Sequence, residues 1–370
     1  MKAWVLHSVG DIRLEEVELP ALKPDEVRVH VEAAGICGSD IPRIYTTGAH
    51  RMPLIPGHEL AGEVVAVGSA ADTCWQGRRV GVYPLIPCGK CGPCLAGHAE
   101  LCRAYDYIGS RRDGGFAEYV DVPAGNVIEL PDTVSYEEAA MLEPMAVAVH
   151  AMRRGLAQGP GQGSCGAPEG QDISDIRDKR IAVCGLGTIG MLLVMLLMER
   201  GARDIYVIGN KDIQREKVTA LGIPKERYCD SRQTDVPEWL RDRTGGLDIY
   251  FECVGRAECV SYGIEAAAPM GRLVLTGNPY SDMPLERDVY WRILREQLSI
   301  TGTWNSSFSQ RENTEKQDDW HYVLGRLREG RISPGSLITH RLQLEELERG
   351  FHIMRDKTEH YTKVMLVRDR

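Results

Sequence analysis

The stretch RIAVCGLGTIGMLLVMLLMERGA, Arg180 to Ala202, constrains the fold more than any other. Gly185, Gly187 and Gly190 form G-x-G-x-x-G directly after a strand-like run, Ile181 to Cys184, and before an apolar helical run, Met191 to Met198. In such a turn the first glycine permits the tight reversal, the second lets bare backbone approach a pyrophosphate, and the third lets helix and strand pack closely. The anion then sits on free N–H groups of the helix start, where Thr188 and Ile189 lie. A glycine turn that serves only packing is the alternative, but the strand-turn-helix setting favours dinucleotide binding.

Which dinucleotide is decided about twenty residues further on, where an NAD enzyme places Asp or Glu on the ribose hydroxyls. Here the second strand, DIYVIGNKD, ends in Gly209, Asn210 and Lys211. A small residue leaves room for a 2′-phosphate, and the amide and ammonium can donate to it. The expectation is NADP(H) over NAD(H). The alternative is a plain turn, or Asp212 swinging in to take the acidic role.

DIYVIG, GLDIYFECVG and GRLVLTGN continue the alternation of strands with helical stretches, which implies a parallel sheet with crossovers. Residues 176–309 are therefore expected to form a doubly wound α/β domain. Residues 1–154 read differently. EVRVHVEAAG, GEVVAVGS, RRVGVYPLIP and GGFAEYVDVP are short β-branched runs separated by Gly, Pro and Asp, the signature of a β-rich unit. Between the two, 155–175 is rich in Gly, Pro and Gln without periodicity and is expected to be a flexible insertion. Beyond 310 the chain reads as strand, helix and strand, and pattern alone assigns it to neither domain.

A chain of 370 residues is long enough for about two domains. Its net charge of -9 disfavours nucleic acid as a partner, since neutralising phosphates needs clustered Lys and Arg. No apolar run reaches the ~20 residues that span a bilayer, and MKAWVLHSVGDIR does not read as a secretory signal. A soluble, cytoplasmic protein is expected. Its eleven cysteines are then thiols or metal ligands rather than disulfides.

Four of them, Cys88, Cys91, Cys94 and Cys102, fall in PCGKCGPCLAGHAELC with spacing C-x2-C-x2-C-x7-C. Four thiolates so close suit a closed tetrahedral zinc site that fixes a loop with little core of its own. An iron–sulfur cluster uses similar spacings. Elsewhere Cys37 in GICGSDIPR and His58 and Glu59 in PGHELAGEV supply thiolate, imidazole and carboxylate, the mixed set of a catalytic zinc with an open position. Glu143 is the single charged residue in AAMLEPMAVAVH and needs a proton, a partner or a metal if buried. Taken one at a time, each residue has an ordinary structural reading; together, beside a dinucleotide domain, they point to a metal enzyme.

At CGSD, GHE, the four-cysteine run, LEP and GLGTIG the chain resembles the zinc-dependent medium-chain dehydrogenase/reductase family over essentially its full length. Within it, the polyol branch is most similar, with sorbitol dehydrogenases and threonine 3-dehydrogenases. CGSDIPRIYTTGAH and YDYIGSRRDGGFAEYV are most like galactitol-1-phosphate 5-dehydrogenases. The resemblance implies a GroES-like catalytic domain, built from both ends of the chain, and a Rossmann domain, with catalysis in the cleft between them. It implies two zinc ions per chain: a catalytic one on Cys37, His58, Glu59 and Glu143, with one carboxylate yielding to water or substrate, and a structural one on the four clustered cysteines. A homodimer or homotetramer is also implied.

The implied reaction interconverts a secondary alcohol of a polyol or polyol phosphate and its ketone. Ser39, with Glu59 and Glu143, belongs to the expected catalytic set, Ser39 taking the alcohol proton. Many relatives carry a histidine three residues beyond that hydroxyl, where this chain has Pro42; His50 is a candidate terminal base. Arg43, Arg111 and Arg112 flank the expected pocket and suit bidentate phosphate binding, against the reading of solvated surface arginines. Unphosphorylated polyol, idonate and L-threonine are the alternative substrates. A zinc-knuckle binding module and a zinc-free quinone-reductase-like protein are the competing classes.

Overall fold

The computed structural model describes residues 1–157, 176–310 and 317–368. From residue 158 onward, the expected flexible insertion at 155–175 lies outside the described residues. The chain divides into two compact units, Met1–Ala146 with Ser306–Arg370, and Val147–Asn305.

The first unit opens with an antiparallel hairpin, β1 (Lys2–Ser8) and β2 (Asp11–Glu16). It continues with β3 (Glu26–Ile36), β4 (Glu59–Val67) and β5 (Arg79–Val82), a short ribbon of β6 (Leu85–Ile86) and β7 (Asp106–Tyr107), then β8 (Tyr119–Pro123) and β9 (Val127–Glu129). β3 shows why such segments become strands. Val27, Val29 and Val31 point to one buried face, while Arg28, His30 and Glu32 alternate to the other. Arg28 is matched across the ladder by Asp121 of β8, which accepts two hydrogen bonds from the guanidinium at 2.7 and 2.8 Å. That cross-strand pair helps hold the register.

The second unit carries β10 (Arg180–Cys184), β11 (Asp204–Gly209), β12 (Tyr228–Asp230), β13 (Leu247–Glu252), β14 (Ala267–Leu275) and β15 (Ser299–Gly302). They form one all-parallel sheet in the order β12-β11-β10-β13-β14-β15. Ile181, Ala182, Val183 and Cys184 are all buried, as expected for a parallel strand covered on both faces. The strand order reverses between β10 and β13. Ligands of open α/β sheets bind outside the carboxyl ends of strands at such a switch point, and the turn carrying Gly185 lies there.

The chain then returns to the first unit with β16 (Ile338–Leu342), the helix Leu347–Asp356 and β17 (Lys363–Val367). β17 pairs antiparallel with β3, giving a sheet ordered β16-β17-β3-β4-β5-β9 with β8 also on β3. The strand-helix-strand tail thus completes the β-rich unit. Phe351 from its helix is fully buried against Trp4 and Phe116, with ring centroids 5.7 and 5.5 Å away. Burying such a ring is worth about 1.5–3 kcal/mol, enough to fasten the returning segment. A β-rich unit and a Rossmann-type parallel sheet are both present, as expected. Among the described residues, no helix is long and apolar enough to cross a membrane.

Candidate active site

Strand pairing gathers the mixed donors. Cys37 follows the last residue of β3, while Glu59 opens β4 directly after His58. In the antiparallel ladder Gly35 stands opposite Glu59, which brings the end of one strand beside the start of the other. Donor atoms of Cys37, His58 and Glu59 lie within 4.8 Å of one another. His58 and Glu59 are buried and Cys37 is half-buried.

The neighbours of this group orient it. Asp40, in the helical turn Asp40–Pro42, is fully buried, and its Oδ2 accepts from Cys37 N at 3.0 Å. Asp40 Oδ1 is 3.4 Å from His58 Nδ1, a ring nitrogen that is buried and makes no hydrogen bond of good geometry. Burial opposes protonation of His58, but the Asp40 and Cys37 charges outweigh it and hold the imidazole well above its ordinary range. A carboxylate set behind one ring nitrogen in this way can orient the other toward a metal. Lys363 of β17 donates to Glu59 Oε2 and, at 3.1 Å, to Ile36 O. Asp40 and Lys363 were not singled out from sequence. Asp40 stands inside CGSD, so a local signal existed; Lys363 offers none.

Glu143 does not fall within the 4.8 Å donor group. It is buried in the first turn of the helix Leu142–Leu156, and Tyr107 Oη donates to its Oε1 at 3.3 Å. Burial, with Glu59 adding to it against the pull of His58, raises its carboxyl to about 7. The Tyr107 ring also lies 5.8 Å from that of His58. Tyr107 is a further neighbour of the site that sequence reasoning passed over.

Ser39 Oγ donates to Cys37 Sγ at 3.3 Å. His50 is exposed; partial burial and then the charges of Arg111 and Arg43 lower its pKa. Arg43 is paired with Asp40 and Arg112 with Glu26, which occupies both with carboxylates of this chain. Arg111 is treated below.

The second cluster lies between β6 and β7. Sulfurs of Cys88, Cys91, Cys94 and Cys102 lie within 4.8 Å of one another, and none is in a disulfide. Cys91 Sγ is 3.4 Å from Cys94 Sγ and 3.8 Å from Cys102 Sγ. Backbone N–H groups of Arg103 and Cys94 lower Cys91 to about 6, while burial and the neighbouring thiols push Cys94 up to about 12. Four sulfurs this close resist carrying charge together without a cation among them. Leu95 and Leu101 are exposed, so the lobe has little apolar core. Both donor sets fit zinc: sulfur, nitrogen and oxygen at the first, four sulfurs at the second.

In the second unit, Gly185 takes φ 96°, which a side chain rarely adopts, and a Cβ at Gly190 would collide with Gly185 O. Gly187 heads the helix Thr188–Glu199 with no side chain capping it, and a Cβ there would meet nothing within 4 Å. Thr188 and Ile189 are half-buried in its first turn. Bare backbone therefore faces open space at the start of a twelve-residue helix, the cradle that a pyrophosphate needs.

At the end of β11, Gly209 is buried. Gln214 Oε1 accepts from Asn210 N at 2.9 Å and its Nε2 donates to Leu186 O at 3.1 Å, while Tyr228 Oη donates to Lys211 O at 3.0 Å. Gln214 thus ties the glycine turn to the turn expected to read the ribose. Asp212 is exposed, and Arg232 and Arg215 lie 3.1 and 3.5 Å from its carboxylate.

Comparison with known proteins agrees with this layout. Residues 23–132 match the alcohol dehydrogenase GroES-like domain, and residues 188–323 the zinc-binding dehydrogenase domain. The chain is 35% identical over 350 residues to galactitol 1-phosphate 5-dehydrogenase of Escherichia coli (strain K12), covering 93% of this chain and 94% of the relative. It is 32% identical over 294 residues to sorbitol dehydrogenase of Bacillus subtilis (strain 168), 77% of each. The crystal structure of galactitol-1-phosphate dehydrogenase from Escherichia coli superposes with a TM-score of 0.85 at 31% identity, covering 100% of both chains. A putative zinc-binding dehydrogenase from Sinorhizobium meliloti 1021 bound to NADP gives 0.84 at 29%, covering 99% of both. A structure described as a short chain alcohol dehydrogenase from Escherichia coli CFT073, complexed with NADH, gives 0.85 at 25%, covering 100% of this chain and 99% of that one. With domain matches across both units and relatives of such identity along nearly its whole length, this chain belongs to the zinc-dependent medium-chain family of polyol and alcohol dehydrogenases and is an NAD(P)-dependent oxidoreductase.

Proposed function

We propose that the chain oxidises a secondary alcohol of a polyol phosphate to the ketone, and runs the reverse reduction, as a galactitol-1-phosphate 5-dehydrogenase does. The observation that carries the reaction class is the convergence of Cys37, His58 and Glu59 in the β-rich unit. The likeness to a galactitol 1-phosphate enzyme, together with arginines beside the site, supports the phosphorylated substrate.

In this reading Cys37, His58 and Glu59 hold the catalytic zinc, with Glu143 as the exchangeable fourth donor, and Cys88, Cys91, Cys94 and Cys102 hold a structural zinc. When bound, zinc supplies a Lewis acid that eases loss of the alcohol proton, and the nicotinamide supplies the hydride acceptor. The protein's own part is positional and protonic. Asp40 and Lys363 fix the histidine and carboxylate donors. Ser39 receives the alcohol proton once its hydroxyl turns from Cys37 Sγ. With Pro42 in place of a histidine, the proton leaves by way of Glu143 or water rather than an imidazole, because His50 is exposed beside two arginines.

NADP(H) is the proposed cofactor, since Gly209 leaves the ribose edge without a carboxylate and Asp212 is engaged by Arg232 and Arg215. The protein is further proposed to be a cytoplasmic homo-oligomer. A cofactor-linked comparison of galactitol 1-phosphate, galactitol, sorbitol, L-idonate and L-threonine tests the substrate. Turnover of an unphosphorylated compound that equals or exceeds that of galactitol 1-phosphate overturns the phosphate reading.

A further inference from the structure

We infer that Arg111 is the phosphate-recognising residue, a step that rests on the reading of a phosphorylated substrate. Sequence offers three arginines without ranking them, and the structure separates them by what already neutralises each. Arg43 is held by the buried Asp40, so its charge is committed to the donor group. Arg112 is held by Glu26, which Lys23 Nζ also approaches at 3.2 Å. The nearby Arg51 is 3.0 Å from Asp113. Among the described residues no carboxylate lies within ion-pair distance of Arg111.

Arg111 is nevertheless fixed in place. Its backbone N–H donates to Tyr107 O at 2.8 Å, and its guanidinium lies 4.6 Å over the Tyr105 ring. Its Nε is buried and has no hydrogen-bond partner. That Nε–H is shut away from solvent, which leaves the two terminal NH2 groups of this half-buried cation to meet an oxyanion. Stacking on the ring holds the planar fork ready, and that fork suits a phosphate through two parallel N–H bonds.

Its location suits the role as well. Tyr105 meets Tyr107 edge-on at 6.0 Å, and Tyr107 touches both His58, at 5.8 Å between ring centroids, and Glu143, at 3.3 Å. A short train of aromatic contacts leads from the proposed zinc donors to Arg111. Arg111 also lines a cavity with Arg51 and Arg112, two further cations on this side of the unit. The charge of Arg111 is felt at His50, whose pKa is lowered by partial burial first and then by Arg111 and Arg43.

The test compares zinc-loaded wild type with Arg111→Met and Arg111→Lys. The quantity read is the ratio of kcat/KM for galactitol 1-phosphate to that for galactitol, with zinc content and melting temperature as folding controls. Arg111→Met is expected to lower this ratio about 100-fold, chiefly through KM for the phosphate. Arg111→Lys, which keeps the charge without the fork, should restore part of it. Calorimetric titration with inorganic phosphate should show binding to wild type and none to Arg111→Met. A folded, zinc-loaded Arg111→Met protein that keeps both the ratio and phosphate binding overturns the assignment to Arg111 alone. A wild type that turns over galactitol 1-phosphate no better than galactitol overturns the phosphorylated-substrate reading, and the inference with it.

Discussion

Lys363 Nζ donates to Glu59 Oε2, and both side chains are 2% exposed. Gly35 makes the space for this pair: a Cβ there would overlap Glu59 Oε2 and stand 2.6 Å from Lys363 Cε. Removing one partner of a buried ion pair strands the other charge and typically costs about 3–5 kcal/mol. Lys363→Met should accordingly lower the melting temperature by roughly 10 °C and depress kcat, because Glu59 belongs to the proposed donor set. Gly35→Ala should act in the same direction by prising the pair apart. Differential scanning calorimetry with steady-state kinetics checks both; an unchanged melting temperature for Lys363→Met would show that Glu59 does not depend on the ammonium.

The cysteine lobe should respond differently. Its helical turn Gly92–Leu95 buries no residue, and Leu95 is 76% exposed, so nothing apolar replaces the sulfurs as its anchor. Cys94→Ser should take the zinc content from about two ions per chain to about one, with thermal stability falling before chemistry does. Elemental analysis of the purified variant, alongside its melting curve, distinguishes this from loss of the catalytic ion, which would abolish turnover while leaving the lobe intact.

The parts of the site that sequence made legible are those whose geometry is local. The three glycines and the four cysteines carry their chemistry within sixteen residues or fewer, so spacing alone reports it. The mixed donors needed one further step, since Cys37 and Glu59 meet only through pairing of β3 with β4. The supports were out of reach. Lys363 is 304 residues from Glu59, and Glu26 is 86 residues from Arg112. Such pairings depend on which strands become neighbours, and hydrophobic periodicity does not encode that. Arg43 is the instructive exception: its carboxylate stands only three residues earlier, at Asp40, on one face of a helical turn where i,i+3 partners meet.

The open edge of the parallel sheet supports a prediction about assembly. β15 ends the strand order, and around it Ile300, Trp304, Met270, Tyr290, Trp291 and Leu294 are all exposed large apolar residues. An unprotected edge strand with apolar neighbours is a template for pairing with another chain. A second copy meeting edge to edge would bury these side chains. Size-exclusion chromatography with light scattering should give a mass of at least two chains for wild type. Ile300→Lys combined with Trp291→Glu should shift it toward one chain, and a wild-type mass of 41.1 kDa would refute the pairing.

Gly209 provides the sharpest test of cofactor choice. Simple reasoning holds that Gly209→Asp should install the ribose-binding carboxylate of an NAD enzyme. The structure predicts that this substitution alone fails. A Cβ at residue 209 would stand 2.7 Å from Gln214 Oε1 and 2.9 Å from Tyr228 Oη. Neither atom moves freely: Gln214 bridges Asn210 N and Leu186 O, and Tyr228 Oη donates to Lys211 O. Gly209→Asp should therefore disturb both turns proposed to cradle the dinucleotide and lower kcat/KM for NADP+ and NAD+ alike, each at least about tenfold. Pairing it with Gln214→Ala removes the nearer obstruction and lets the new carboxylate reach the ribose edge while repelling a 2′-phosphate. The double variant should move the NAD+ to NADP+ specificity ratio at least about tenfold toward NAD+ relative to wild type. If Gly209→Asp alone produces that shift with NAD+ turnover intact, Gln214 and Tyr228 do not guard the position.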